Sequence, residues 1–345
     1  MLKQLSLLVL LSSMGCQSTG GSKKPSNAVV DKSPGPIIET AVDTKSSSSS
    51  EATPTKPGAI GSSEGTVSGV PDSSLNSDKK TIFLGEADPT KNTNLPFGLP
   101  SLTSGADSWI ISRPQYVMSW NPKTKNINWV AWMMNTEQFG TIGRQGNFSV
   151  DPLLKEYIEG SSIKSVTTTD YTGSCFDRGH QVASNDRQAT QEDNLATFYT
   201  TNIIPQTAFL NQIIWKKLEE EIRDWVSTAE HKNLWIIAGP IYKQTLSYMG
   251  PNADIAVPSA NFKAVFSWES EMKDKPYLVK AVIMPNVLSQ GTDPSTDSVR
   301  RCKEASGGGK VKGETTISQD VADYLSTLPA IEAAAQIKFP SSLRP

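Results

Sequence analysis

From Ser18 to about Lys91 the chain consists mainly of Ser, Thr, Gly, Pro and Lys, with a run of serines at 46–50 and scarcely an aromatic side chain. A stretch of this kind cannot bury enough apolar surface to offset the conformational entropy lost on ordering. Residues 17–91 are therefore expected to form a disordered tether, which confines the fold to residues 92–345. About 250 residues can bury a sizeable core and still make a single domain. Inside the tether, Gly61-Ser62-Ser63-Glu64-Gly65 matches the G-x-S-x-G pattern of serine hydrolases. No apolar strand precedes it and no helical pattern follows, so the match carries no chemistry.

Ahead of the tether, residues 1–16 carry one cation, Lys3, then an apolar run over 5–11, then small residues leading to Cys16. This pattern reads as an export signal, since the apolar run is far shorter than the roughly 20 residues of a spanning helix. Gly15 before Cys16 suits a lipoprotein signal, in which the Cys16 thiol is acylated and anchors the chain to a membrane, although Ser13 stands where a larger apolar residue is usual. Ordinary cleavage after Gly15 is the alternative. Either way the mature chain is expected outside the cytoplasm, lipid-anchored at the cell envelope or secreted.

The 33 Lys and Arg against 35 Asp and Glu leave a net charge of −2, all of it on the folded part. Coating nucleic acid by bulk positive potential is thereby excluded, and a phosphate-bearing partner must be met by a few placed cations. Two further cysteines, Cys175 and Cys302, are expected to form a disulfide in an exported protein. Apolar runs at 115–120 and 128–134 bracket a polar Asn/Pro turn and predict a β-hairpin. Further strands are expected at 234–238, 260–268 and 277–284. Phe209, Leu210, Ile213, Ile214, Leu218, Ile222 and Trp225 recur at helical spacing and predict a helix over 208–226. A second helix is expected over 318–325, with Pro329 as its stop. Strands on both sides of one central helix make an α+β domain.

With two histidines in the chain, the search for a base near neutral pH is short. His231 lies in a charged stretch after the helix and reads as a surface residue. His180 lies in Cys175-Phe176-Asp177-Arg178-Gly179-His180, where glycine permits close backbone approach. Downstream, Asn211 opens the helix, with Glu219 eight and Arg223 twelve residues later. On a straight α-helix these offsets place all three on one broad side. A solvated Glu/Arg pair is the plainer reading of the last two.

The ordered set Asp177-Arg178-Gly179-His180, Asn202-Ile203-Ile204-Pro205-Gln206, Leu210-Asn211-Gln212, Trp215, Leu218-Glu219 and Arg223 resembles the DNA/RNA non-specific endonuclease family, the D-R-G-H nucleases with a ββα-metal active site. Arg144-Gln145-Gly146-Asn147-Phe148, Ala238-Gly239-Pro240-Ile241-Tyr242, Val257-Pro258 through Lys263, and Met284-Pro285-Asn286 also fit that pattern. The resemblance implies a ββα-metal fold, with a central antiparallel sheet flanked by helices. It implies His180 as general base, Asn211 as the metal ligand, Glu219 holding metal waters, and Arg144, Arg178 and Arg223 clamping phosphate. Asn202 would orient the site and Asp177 would serve as a structural acceptor. The implied cofactor is Mg²⁺, with Mn²⁺ and Ca²⁺ as other candidates; the implied substrates are DNA and RNA. A proteinaceous inhibitor is a further candidate partner. Zinc is disfavoured for want of a Cys/His cluster. Gly307-Gly308-Gly309-Lys310 is no P-loop, because Val311 stands where Ser or Thr is needed. The rival reading is a non-catalytic surface lipoprotein that uses the same scaffold to bind nucleic acid or another partner.

Overall fold

Residues 126–134 read Asn-Ile-Asn-Trp-Val-Ala-Trp-Met-Met, a nearly unbroken apolar run after its first three positions, as a strand buried on both faces requires. In a computed structural model, which describes residues 81–86, 88–268, 276–308 and 315–343, this run is the fourth of seven strands in a central sheet. The strands in chain order are β1 (Thr81–Gly85), β2 (Ser101–Leu102), β3 (Ser108–Arg113), β4 (Tyr116–Asn121) and β5 (Asn126–Met134). After them come β6 (Asp177–His180), β7 (Ile203–Gln206), β8 (Leu234–Ile241), β9 (Ser247–Met249), β10 (Ile255–Val257), β11 (Ala260–Ser267), β12 (Tyr277–Pro285) and β13 (Ile337–Lys338). The helices are α1 (Pro152–Tyr157), α2 (Gln191–Ala196), α3 (Lys216–Ser227), α4 (Ser298–Ser306) and α5 (Leu328–Ala335).

The large sheet runs β1-β3-β4-β5-β8-β11-β12. It is antiparallel from β3 to β12, and β1 joins its edge in parallel, Thr81 opposite Ser108. Period-two alternation sends Val130, Trp132, Met134, Ile236 and Val265 to one face, against Ile214, Trp215, Leu218 and Ile222 of the long helix. Trp129, Ala131, Trp235, Phe262 and Phe266 face the other way, against Ile331 of α5 and Phe339. Three layers result, with aromatic residues on both sides of the sheet.

Beside this sheet, β6 and β7 form their own antiparallel pair, with Asp177 opposite Gln206 and His180 opposite Ile203. The chain turns at Thr207, whose hydroxyl accepts from Leu210 N at 3.2 Å and donates to Val287 O at 2.8 Å, and enters the helix. Asn286 closes the junction by donating to Pro205 O and Pro258 O while accepting from Thr207 N. This ββα unit carries the site. A disulfide joins Cys175, just before β6, to Cys302 of α4, with Cα atoms 4.9 Å apart. Arg301 strengthens the same join, donating to Ser174 O at 2.9 Å and stacking on Phe176.

Three expectations are corrected. Residues 81–91, read as tether, contain β1 and a short 3-10 turn capped by Asp88. The run Thr81-Ile82-Phe83-Leu84 is a good strand sequence, but its composition is swamped by the Ser- and Lys-rich residues around it. No α-helix spans 318–325, where a single 3-10 turn stands at Val321–Tyr324. The helix begins later, because Thr327 caps it and Pro329 occupies its first turn; proline there starts a helix rather than stopping one. The expected 208–226 helix is present, but its first part, Leu210–Trp215, is wound as a π-helix. The export segment with Cys16, the rest of the tether, and the Gly309-Lys310 and Val311 positions lie outside the described residues.

Candidate active site

Glycine at 179 is a steric requirement. A Cβ there would lie 2.1 Å from Oε1 of the buried Gln206 across the β6–β7 pair. The missing Cβ leaves room for the Gln206 side chain to cross over Gly179, and the next residue, His180, ends the strand. The imidazole is held between Phe148 and Phe198, with ring centroids 5.3 and 5.0 Å away. Its Nε2 is sealed from solvent and without a hydrogen-bond partner among the described residues. Burial between the rings, with the Arg144 charge close by, pushes the imidazolium pKa down to about 3. The ring is therefore neutral at neutral pH and free to accept a proton at Nδ1.

The chain just beyond His180 is fixed by Asn202. Its Oδ1 accepts from Val182 N at 3.0 Å, and its Nδ2 donates to Val182 O and Thr197 O at 2.9 Å each. On the other side of the site the π-wound turn presents Asn211 and Gln212, both donating to Asp177 Oδ2, at 2.8 and 2.7 Å. Because Nδ2 of Asn211 is committed to a carboxylate, the amide orientation is set and Oδ1 is the atom left to accept from, or ligate, something else.

Arg144, Arg178, His180, Asn211, Gln212 and Glu219 line one open cavity of about 430 Å³, with Ser184, Asn185 and Lys216 at its margin. A second cavity of about 410 Å³ shares Arg144, Arg178, Asn211 and Gln212 and extends past Asp177, Phe148 and Tyr171. The guanidinium of Arg144 lies over Phe198 at 4.6 Å and that of Arg178 over Phe148 at 4.7 Å. Among the described residues neither makes an ion pair. Two guanidiniums stacked on aromatic rings at one cavity, with no ion pair among the described residues, suit a phosphate.

Two more of the expected site residues have their polar groups engaged by partners within the fold. Asn202 is fully buried and spends its amide on backbone. Arg223 pairs with the buried Asp186, Nη1 to Oδ1 at 3.1 Å. His231 packs on Trp225 and Tyr277, remote from these residues in the fold. Lys263 ends a stretch that fits the family pattern but was given no role in the site. Its side chain is 1% exposed, and its ammonium lies 3.9 Å from Glu219 Oε1. Burial pushes Glu219 up and Lys263 down, while each charge opposes the shift of the other. The sequence signal was a lysine inside Phe262-Lys263-Ala264-Val265-Phe266.

The donor set at the cavity is oxygen, Asn211 Oδ1 and the Glu219 carboxylate, with an imidazole alongside. Among the described residues no three His, Cys, Asp or Glu side chains converge as a metal cage. These groups fit a hard cation that keeps most of its water, as Mg²⁺ does, rather than one that needs a full protein shell.

The family model described as DNA/RNA non-specific endonuclease matches residues 96–341. A nuclease of Nostoc sp. is 36% identical over 191 residues, covering 54% of this chain and 66% of its own length. Human mitochondrial endonuclease G is 30% identical over 202 residues (55% and 62%). A nuclease of Serratia marcescens is 31% identical over 180 residues (50% and 63%). The matches thus span somewhat under two thirds of these relatives. A solved structure titled as the EndoG/EndoGI complex superposes with a TM-score of 0.52 at 21% identity, covering 73% of this chain and 91% of that one. The shared architecture is the α+β, ββα-metal nuclease fold.

Proposed function

The chain belongs to the DNA/RNA non-specific endonuclease family, and from that premise and the cavity's geometry we propose that it is a divalent-metal-dependent endonuclease that hydrolyses phosphodiester bonds in DNA and RNA with little sequence preference. The observation that carries the reading is the single cavity lined by His180, Asn211, Glu219 and two unpaired guanidiniums. Arg144 and Arg178 bind the phosphate oxygens and stabilise the charge that grows on them during attack. A site that grips backbone in this way has no need to read bases, and placed arginines can do it on a net acidic domain.

His180 accepts a proton from the attacking water at Nδ1, since Nε2 is sealed by packing. Asn211 Oδ1 would hold a hydrated Mg²⁺, with Glu219 gripping its waters, and Asp177 keeps the Asn211 amide turned for that task. The bound ion supplies Lewis-acid charge that polarises the phosphate and offsets the charge of the leaving oxygen. Asn202 and Arg223 act as supports, one bracing the chain after His180 and the other neutralising Asp186.

The supporting reading of the rest of the chain is an exported protein with residues 17–80 as a tether and Cys16 as its acylated anchor. The Cys175–Cys302 bond accords with an oxidising compartment. Among the described residues no helix is long and apolar enough to cross a membrane. An open cavity of this kind also offers a proteinaceous inhibitor a place to bind.

The test is digestion of supercoiled plasmid and of RNA by the purified protein. In Mg²⁺ both should fall to a continuous smear; excess EDTA should stop the reaction, and added Mg²⁺ should restore it. Intact substrates in Mg²⁺, Mn²⁺ and Ca²⁺, with nucleic acid still bound, would instead establish the non-catalytic scaffold.

A further inference from the structure

A cation in the middle of a central strand is among the least expected residues of a sheet core, and Lys263 lies near the middle of β11, paired with Ala238 of β8 and Val282 of β12. Alternation along β11 turns its side chain away from Phe262 and Phe266 and toward the face covered by the long helix. There the ammonium lies 4.2 Å from the centroid of Trp215 and 5.4 Å from that of Trp132. Two indole faces replace part of the lost hydration. An apolar chain such as methionine would fill the same space at no desolvation cost, so packing alone does not account for a lysine.

Two carboxylates, Glu219 and then Asp186, favour the charge, and Glu219 is the one within pairing distance. Arg223 pairs with Asp186 at 3.1 Å, and Lys263, at 3.9 Å, exerts the larger of the two cationic influences on Glu219, ahead of Arg223. Glu219 in turn lines the cavity. Trp215, the nearer of the two rings, ends the same π-wound turn that presents Asn211. Lys263 therefore touches both the carboxylate and the turn at the cavity.

We propose that Lys263 is a positioning residue whose buried ammonium holds the Glu219 carboxylate at the cavity wall and so sets the site's affinity for a hydrated divalent cation. This rests on the endonuclease reading above. The experiment compares the full chain with Lys263→Met and Lys263→Arg, reading Mn²⁺ binding by electron paramagnetic resonance and, separately, kcat and KM on plasmid DNA. Lys263→Met should weaken Mn²⁺ binding and lower kcat, each by about 10- to 100-fold, as loss of an outer support does, with KM for DNA changed less than about two-fold. Lys263→Arg should recover most of both losses. A folded Lys263→Met protein with unchanged Mn²⁺ affinity and kcat overturns the proposal. A wild-type protein that neither binds Mn²⁺ nor cuts DNA overturns the endonuclease reading instead.

Should Lys263→Met fail to fold, wild-type protein labelled with ¹³C at lysine Cε provides the second measurement. The two indoles mark the Lys263 resonance by their ring currents. Saturating Mg²⁺ should shift it, and a resonance indifferent to Mg²⁺ would equally overturn the proposal.

Discussion

Replacing His180 with Ala is expected to lower kcat on plasmid DNA by about 10²- to 10⁴-fold, the usual contribution of a placed general base, and to leave the fold intact. The ring is largely buried beside the cavity and makes no hydrogen bond through Nε2 among the described residues. Its removal costs contacts with Phe148 and Phe198 and no polar partner. Circular dichroism and the thermal midpoint should therefore change little while turnover collapses. Activity surviving in the variant would remove His180 from the mechanism. The depressed pKa adds a signature in pH. Because burial and Arg144 hold His180 near 3, the acid limb of kcat/KM should lie well below the imidazole's ordinary value of about 6.5. Folding stability carries the matching sign. Between about 6.5 and 3 the unfolded chain binds the proton and the folded chain does not, so stability falls as pH drops through that window. His180→Ala should flatten that part of the curve.

The second large effect is expected at Asn211. Truncation to Ala removes the only oxygen assigned to direct contact with the ion and frees Asp177 from one of its two amide donors. Divalent-ion affinity and kcat should each fall at least about 100-fold, since a cation as reluctant to dehydrate as Mg²⁺ has few protein bonds to lose. Asn211→Asp separates the two jobs of this amide. It keeps an oxygen donor but sets a second carboxylate where an N–H now meets Asp177 Oδ2 at 2.8 Å. Its activity should be low at low Mg²⁺ and recover as Mg²⁺ is raised and screens the pair. Calorimetric metal titrations alongside kcat would check both variants; an Asn211→Ala enzyme with wild-type affinity would contradict the assignment.

Much of the scaffold was legible because its signals are local. The β4–β5 hairpin announced itself by two apolar runs around Asn121-Pro122, and the helix by the spacing of Leu210, Ile214, Leu218 and Ile222. The π-wound start was not legible, since an i to i+5 turn leaves no mark on side-chain pattern, yet it alters the phase of Asn211 relative to Glu219 and Arg223. Pro329 misled because proline signals either end of a helix according to what precedes it, and here Thr327 decides for the start. Scarcity narrowed the search to His180 and His231, and the resemblance carried by Asp177-Arg178-Gly179-His180 chose between them. Asn211 and Glu219 were legible through family resemblance, because an amide and an acid eight residues apart carry no chemistry by themselves. Helical geometry put Arg223 on the side of Asn211 and Glu219 and the resemblance gave it a site role, and only the fold brings Asp186, 37 residues earlier, to pair with it. Lys263 was hidden for a related reason: a lysine in a strand is ordinary until both faces of that strand are known to be covered.

The central claim is that an imidazole, a carboxamide and a carboxylate at one cavity serve a single hydrated divalent cation. Anomalous diffraction from a crystal soaked in Mn²⁺ tests it most directly. One peak should appear about 2.1–2.2 Å from Asn211 Oδ1, with Glu219 reached through water and His180 facing the same cavity. A crystal with Mn²⁺ bound elsewhere, or with no peak beside Asn211 at saturating Mn²⁺, would contradict it.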